Sequence, residues 1–439
     1  MQKIESKKYL TVLGFFAVIL FSLVSVFAFG AAGDLDPSFG FFGTVVENYS
    51  GSIDTQGFDA LIQSSGKIVV AGQSRDAAGS QIALARFTSA GVLDSTFGTG
   101  GWTVVNFGFS TIYALAAAEQ SDGKIVVTGE LDDGGQNPAN SEHFYVARFT
   151  SDGQVDKKFG KNGITVIDFG FDSQSLDVAI AADGKIVIAG LVLKSGADWD
   201  WALARVDNKG KIDKLFGSNG IVETDFYGFI DFGLAVAIQP DQKILVSGTA
   251  GTAASYGAMG LARYTVTGAL DSSFGNGGKV TTDFGTSNND FGNDIVVQPD
   301  GKIVVGGTAQ INSPVFMFVR YNTDGTIDLS HLEDLDGSTE AAFGLAIATN
   351  GRIILGGSVT LDPNLDFNLF GTSCFDGATG SLDTSFGSFG WAITDLNLPT
   401  SGISKVRLQG DNKIVAVGSS VQGNGHAYLA LARYFGCGS

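Results

Sequence analysis

One block of about 58 residues recurs seven times and fills nearly the whole chain. Leu-Asp-x-x-Phe-Gly opens it at Leu35, Leu93, Leu270 and Leu382, with Val155 and Ile212 standing in for the Leu in two more copies. A Gly-Lys-Ile-Val-Val-type run and an Ala-Arg-Phe or Ala-Arg-Tyr run follow. Three markers keep one phase: Phe39, Phe97, Phe159, Phe216, Phe274 and Phe386; a cation at Lys67, Lys124, Lys185, Lys243, Lys302, Arg352 and Lys413; and Arg86, Arg148, Arg205, Arg263, Arg320 and Arg433. Only the sixth copy lacks both its Phe-Gly and its Arg. A fixed period means one supersecondary unit stacked on copies of itself, so the repeat argues for a single body rather than several domains.

Within a copy, Gly66-Lys67-Ile68-Val69-Val70-Ala71-Gly72 is apolar on consecutive residues, the pattern of a strand covered on both faces. A second apolar run precedes each such segment, as at Asp294 to Val297. The two are joined by a turn such as Pro299-Asp300-Gly301, where Gly tolerates positive φ. Ile82 to Phe87 reads as a third strand and Trp102 to Phe107 as a fourth. No helical period appears after the first 28 residues. Four antiparallel strands per unit, stacked radially, predict an all-β, seven-bladed β-propeller over 33–439. The chain enters the repeat at Leu35, with a fourth strand near Thr44 to Glu47, and leaves it after a third strand, Leu429 to Tyr434. Pairing these ends would close the ring and remove its open edges.

The run of Lys3, Lys7 and Lys8 followed by the apolar stretch Tyr9 to Phe29 identifies residues 1–28 as a secretory signal peptide or, uncleaved, an N-terminal anchor. Both place the repeats outside the cytoplasm, in a secreted or cell-envelope location. A membrane is a partner only if this segment is retained. The full chain carries a net charge of −18; residues 1–28 hold three Lys and one Glu, so the remainder is still more acidic. Such a surface excludes nucleic acid as a partner. Two cysteines, Cys374 and Cys437, exclude a disulfide-built scaffold. Their spacing leaves open whether they bridge late repeats or stay unpaired.

The repeats Leu93-Asp94-Ser95-Thr96-Phe97-Gly98, Asp122-Gly123-Lys124-Ile125-Val126-Val127 and Ala147-Arg148-Phe149 resemble the delta-60 repeat, a bacterial β-propeller family described as a domain of unknown function. The resemblance implies a secreted or surface propeller and supplies no catalytic residues.

The recurring Asp36, Asp94, Asp156, Asp213, Asp271, Asp328 and Asp383 read as architecture. A catalytic site needs unlike groups converging on one spot, not equivalents spread round a ring. Each Asp is expected to bond its own turn or the neighbouring Arg, each Lys to cap a hairpin, and each Phe to fill the gap between blades. His143, His331 and His426 share no repeat position, so no zinc or His-dependent catalytic set is expected. Catalytic and metal residues are therefore expected to be none, with binding residues unassigned. The altered sixth copy contains Asp334, Asp336 and Glu340 around Gly337, part of a calcium-loop pattern whose first position would be the non-ligating Leu332. Trp199 and Trp201 alternate on one strand and fit either an exposed stacking platform or inter-blade core. A long polar loop, Leu131 to Glu142, enlarges one rim. These features predict a monomeric binding scaffold for a protein, peptide or glycan. The alternative is a channel-based lyase or hydrolase using a divalent metal.

Overall fold

The computed structural model of the chain describes residues 30–135, 140–195, 198–252, 255–285, 289–311, 313–335, 338–361 and 368–438. The expected signal peptide or anchor, residues 1–28, lies outside the described residues. So do Asp336, Gly337 and the middle of the loop from Leu131 to Glu142. No helix among the described residues is long and apolar enough to cross a membrane.

Among the described residues the chain forms 28 strands in seven four-stranded antiparallel sheets. Blade 1 runs outward through Asp54–Ile62, Ile68–Asp76, Gly79–Phe87 and Trp102–Val105. The inner strands of the next six blades are Thr111–Glu119, Ser173–Ile180, Phe232–Ile238, Phe291–Val297, Thr339–Ile347 and Thr400–Leu408. The turn between the first two strands of a blade is tight, and Gly66 and Gly301 take φ of 78° and 85° there. Gln242 and Asn412 adopt the same left-handed conformation in the two copies that lack the Gly.

The ring closes as the phase of the repeat requires. Thr44–Glu47 pairs antiparallel with Ala427–Tyr434, with Thr44 opposite Ala432 and Glu47 opposite Leu429. The first strand of the ring thus completes the last blade, which has four strands like the other six.

Burial explains the unbroken apolar runs. Ile68, Val69, Val70 and Ala71 are each at most 1% exposed because both faces of the blade are covered. Among the described residues the interior divides into seven apolar clusters, one at each junction between adjoining blades. Phe39, Phe97, Phe159, Phe216, Phe274 and Phe386 are fully buried within six of them. Each of the first five packs against the Gly of the following blade's turn: a Cβ on Gly153 would meet the Phe97 ring, and one on Gly91 the Phe39 ring.

The sequence unit and the blade are out of phase, which refines the reading of the sixth copy. Its two losses fall in different blades. The outer strand of blade 5 lengthens to Ile327–Glu333, and Leu329 lies under Gly380 where the other junctions carry Phe. Blade 6 has Cys374 at the Arg position: Asp383 N–H donates to the Cys374 carbonyl as Asp94 N–H does to that of Arg86. Cys374 is disulfide-bonded to Cys437, which settles the pairing the spacing left open.

Candidate functional site

The recurring charged residues form a girdle on the rim that carries the tight turns. In blade 1, Arg86 Nε donates to Asp94 Oδ2 at 2.7 Å, and Lys67 Nζ reaches the same oxygen at 2.8 Å. Asp94 Oδ1 accepts from the Thr96 amide and hydroxyl, closing the turn. The Arg86 guanidinium lies 4.7 Å over the Phe97 ring and donates to the Ser151 carbonyl of blade 2. Arg148, Arg205, Arg263, Arg320 and Arg433 likewise reach a carbonyl in the following blade. The expected Asp–Arg bond is present, and the Lys does more than cap a hairpin, since it neutralises that Asp. In blade 6 Arg352 takes the Lys place and holds Asp383 at 2.8 Å. These groups join blades through charge-assisted hydrogen bonds and ion pairs.

The channel holds a second polar set, which a search for once-per-copy residues passes over. Every inner strand carries a bulge, and the residue after it is Asp59, Ala116, Asp177, Ala235, Asp294, Gly344 and Lys405 in turn. Acid and small residue alternate. Each Asp accepts the amide of the residue that follows it and an amide of the next blade: Asp59 from Ala117 at 2.9 Å, Asp177 from Val236 at 2.8 Å and Asp294 from Leu345 at 2.9 Å. Three carboxylates thus tie blades 1 to 2, 3 to 4 and 5 to 6. Seven is odd, so blade 7 is left over, and it supplies cations instead. Lys405 Nζ lies 3.1 Å from Asp294, and Arg407 donates to Asp59 at 2.6 Å and to the Ala60 carbonyl. Burial pushes the Asp177 carboxyl up to about 6, against the pull of Lys405. Burial disfavours charge on Lys405, but Asp294 and Asp177 hold it protonated above the ordinary lysine range. The only signal of this set in the sequence is its period of two repeats. A pocket of about 360 Å³ lies over these groups, lined in part by Asp177, Asp294, Lys405 and Arg407.

The opposite rim carries the loops that lead from one blade to the next. Trp201 is fully buried, donates Nε1–H to the Thr249 carbonyl at 2.8 Å and packs against Phe226. Inter-blade core, not a stacking platform, is its role; Trp199 beside it is half-buried. On this rim Phe171, Tyr227 and Phe229 face solvent, on the loops entering blades 3 and 4. Lys194 sits 5.1 Å over the Phe171 ring and pairs with Glu223. Tyr227 also lines an open groove of about 590 Å³ on the outer flank between blades 3 and 4, with Phe226, Lys279 and Thr281. A groove of about 670 Å³ between blades 1 and 2 is lined by Phe107, Phe109 and Lys161.

Of the calcium-like run, Glu340 turns inward and is fully buried. Its carboxylate accepts from the Leu335 amide and the Ser338 hydroxyl. His331 packs between Phe318 and Phe375 and bonds Glu333 at 2.8 Å. His143 bonds Asp133 and His426 pairs with Asp54, so the three histidines stand apart, each with its own acidic partner.

The fold and its blade-joining residues define a seven-bladed β-propeller of four-stranded repeats closed by its own N-terminal strand. Residues 63–97, 120–159, 181–216, 239–274 and 298–330 match the family model described as "Domain of unknown function (DUF5122) beta-propeller". The chain belongs to this family. The sequence matches no curated protein. Among solved structures, it resembles a protein of unknown function from Dyadobacter fermentans at 12% identity, over 91% of this chain and 99% of that one, with a TM-score of 0.46. The WD40 domain of Toxoplasma gondii coronin aligns at 9% identity over 93% and 90% of the two chains, TM-score 0.47. An ulvan lyase of polysaccharide lyase family PL25 aligns at 13% identity over 88% and 95%, TM-score 0.47.

Proposed function

We propose that this protein is an extracytoplasmic, monomeric, non-catalytic scaffold that binds an extended peptide or glycan, free or on a partner protein, along the grooves between its blades. The observation that carries this reading is how the molecule's polar groups are used. The unlike charges that converge in the channel are engaged in joining blades. The shallow flank grooves, by contrast, set aromatic rings beside polar groups at the open surface, as with Tyr227 next to Lys279 and Thr281. Rings such as Phe109 and Tyr227 stack on sugar faces or apolar side chains, and an open groove suits a chain better than a compact small molecule. The acidic surface favours neutral or cationic ligands over anionic ones. The leader-like residues 1–28 and the Cys374–Cys437 bond support a compartment outside the cytoplasm.

Titration of neutral oligosaccharides and basic peptides against the full chain tests this. The double variant Phe109→Leu/Tyr227→Ala should weaken binding at least tenfold while keeping most of the Phe109 packing on the core between blades 1 and 2, so that the melting temperature falls by only a few degrees. Binding that ignores these substitutions, or turnover that is abolished by Lys405→Met, would instead point to the channel.

A further inference from the structure

One group of carboxylates stands apart from both polar sets. Asp200 lies on the third strand of blade 3, Asp198–Val206. Asp225 follows the fourth strand, Ile221–Thr224, and Asp231 precedes the inner strand of blade 4. Each offers an oxygen, and these oxygens lie within 4.8 Å of one another. Two ligands of one calcium ion, each about 2.4 Å from it, can be at most about 4.8 Å apart, so the spacing suits a shared hard cation.

The second observation is Asp200 itself. Its side chain is buried, at 7% exposure, and its Oδ1 is enclosed without a hydrogen-bond partner. The other two are anchored. Asp231 accepts the Phe226 and Gly251 amides, each at 2.6 Å, and Asp225 accepts the Gly228 amide. The cation near Asp200, Lys194, is already paired with Glu223. Burial, followed by the nearby carboxylates, pushes Asp200 up to about 6. Burial also pushes Asp231 up to about 7, against its two amide bonds. A buried carboxylate that finds no donor in the protein needs either a proton or a cation.

The next junction serves as an internal control. There Asp283 and Asp290 occupy the places of Asp225 and Asp231, and Asp290 accepts the Phe284 and Gln310 amides in the same way. The place of Asp200 is held by Ala258, and among the described residues no third carboxylate joins the pair. The loop therefore folds without an acid at that position, and Asp200 is not explained by architecture.

We propose that Asp200, Asp225 and Asp231 bind one divalent cation of the calcium type, with water completing its coordination. The ion grips both ends of the loop that displays Tyr227 and Phe229. The site stands whether or not the flank grooves bind a ligand.

Calcium titrated by calorimetry into the chelator-stripped full chain should show one saturable site, with a Kd on the order of 10⁻⁵–10⁻³ M. Calcium should also raise the melting temperature. Asp200→Ala should weaken binding more than tenfold while leaving the calcium-free protein at least as heat-stable as the parent, because an unpaired buried carboxylate is removed. Asp290→Asn, at the two-carboxylate junction, should leave calcium affinity unchanged. Absence of one-site binding, or an Asp200→Ala variant that binds as the parent does, overturns the proposal. Loss of peptide or glycan binding with calcium binding intact would count against the groove reading alone.

Discussion

Phe42 and Phe389 occupy corresponding turn positions with φ of 50° and 55°, where other copies carry Gly100, Gly277, Asn162 and Asn219. A bulky residue in the left-handed region is strained, and Phe389 recovers little of that by burial since it is 86% exposed. Phe389→Asn should therefore stabilise the protein by about 0.5–1 kcal/mol, read as a higher denaturation midpoint. The carboxylates separate by environment. Burial works against the ionised form of Asp36, but hydrogen bonds from Ser38 and Lys413 and the charge of Arg433 outweigh it and hold the group at about 2. Its folded pKa lies below the unfolded one, so its stabilisation is present above about pH 4 and lost as pH falls through 2. Asp177 runs the other way. Its folded state binds the proton more tightly, so its contribution is full below about pH 4 and lost as pH rises through about 6. A carboxyl NMR titration should place the Asp177 midpoint near 6; an ordinary value near 4 would remove the claim that burial dominates there. The architectural role of the repeated Asp was legible from its recurrence. The channel acids were not, because they recur only in alternate blades and their partners lie in the next blade.

Each blade is an element that depends on its neighbour, and the Arg–Asp–Phe set is the joint. Arg205 Nε lies 2.9 Å from Asp213, and its guanidinium is 4.5 Å over Phe216. Arg205→Met removes the bonds to Asp213 and to the Val266 carbonyl of blade 4 and leaves Lys185 facing that Asp, so it should cost about 2–3 kcal/mol in a chemical unfolding experiment. Blade 6 is the exception. There a disulfide between residues 63 apart replaces the Arg that would reach into blade 7. Closing a loop of that length constrains the unfolded chain by about 4 kcal/mol. Reduction should lower the midpoint accordingly, with a Cys374→Ser/Cys437→Ser variant matching the reduced protein. Unchanged unfolding on reduction would refute this. The strand runs of each blade were readable from apolar periodicity and the Asp-Gly turns. The bulges were not, since a bulge is defined by what the partner strand does.

At the scale of the whole molecule, stability rests on closure. Each of the seven apolar clusters needs two blades, and the one between blades 7 and 1 uses Phe39 and Val45 from the N-terminal segment. Deleting residues 30–47 strips blade 7 of its outer strand and exposes Ala427–Tyr434 as an edge. The truncated protein should unfold at least 10 °C lower and should associate through that edge, measurable by light scattering. A truncated protein that stays monomeric with an unchanged melting temperature would show that closure contributes little.

The local period, the four strands per unit, the number of blades and the closing strand follow from the amino-acid sequence alone. They depend on patterns short enough to be read along one chain and on a phase that leaves the last blade one strand short. Only the tertiary structure decided which charges meet across the channel, that Cys374 stands in for the missing Arg, and that Asp200 lies beside Asp225 and Asp231. Those contacts join residues of different strands and blades, and their geometry is set by how adjacent wedges pack.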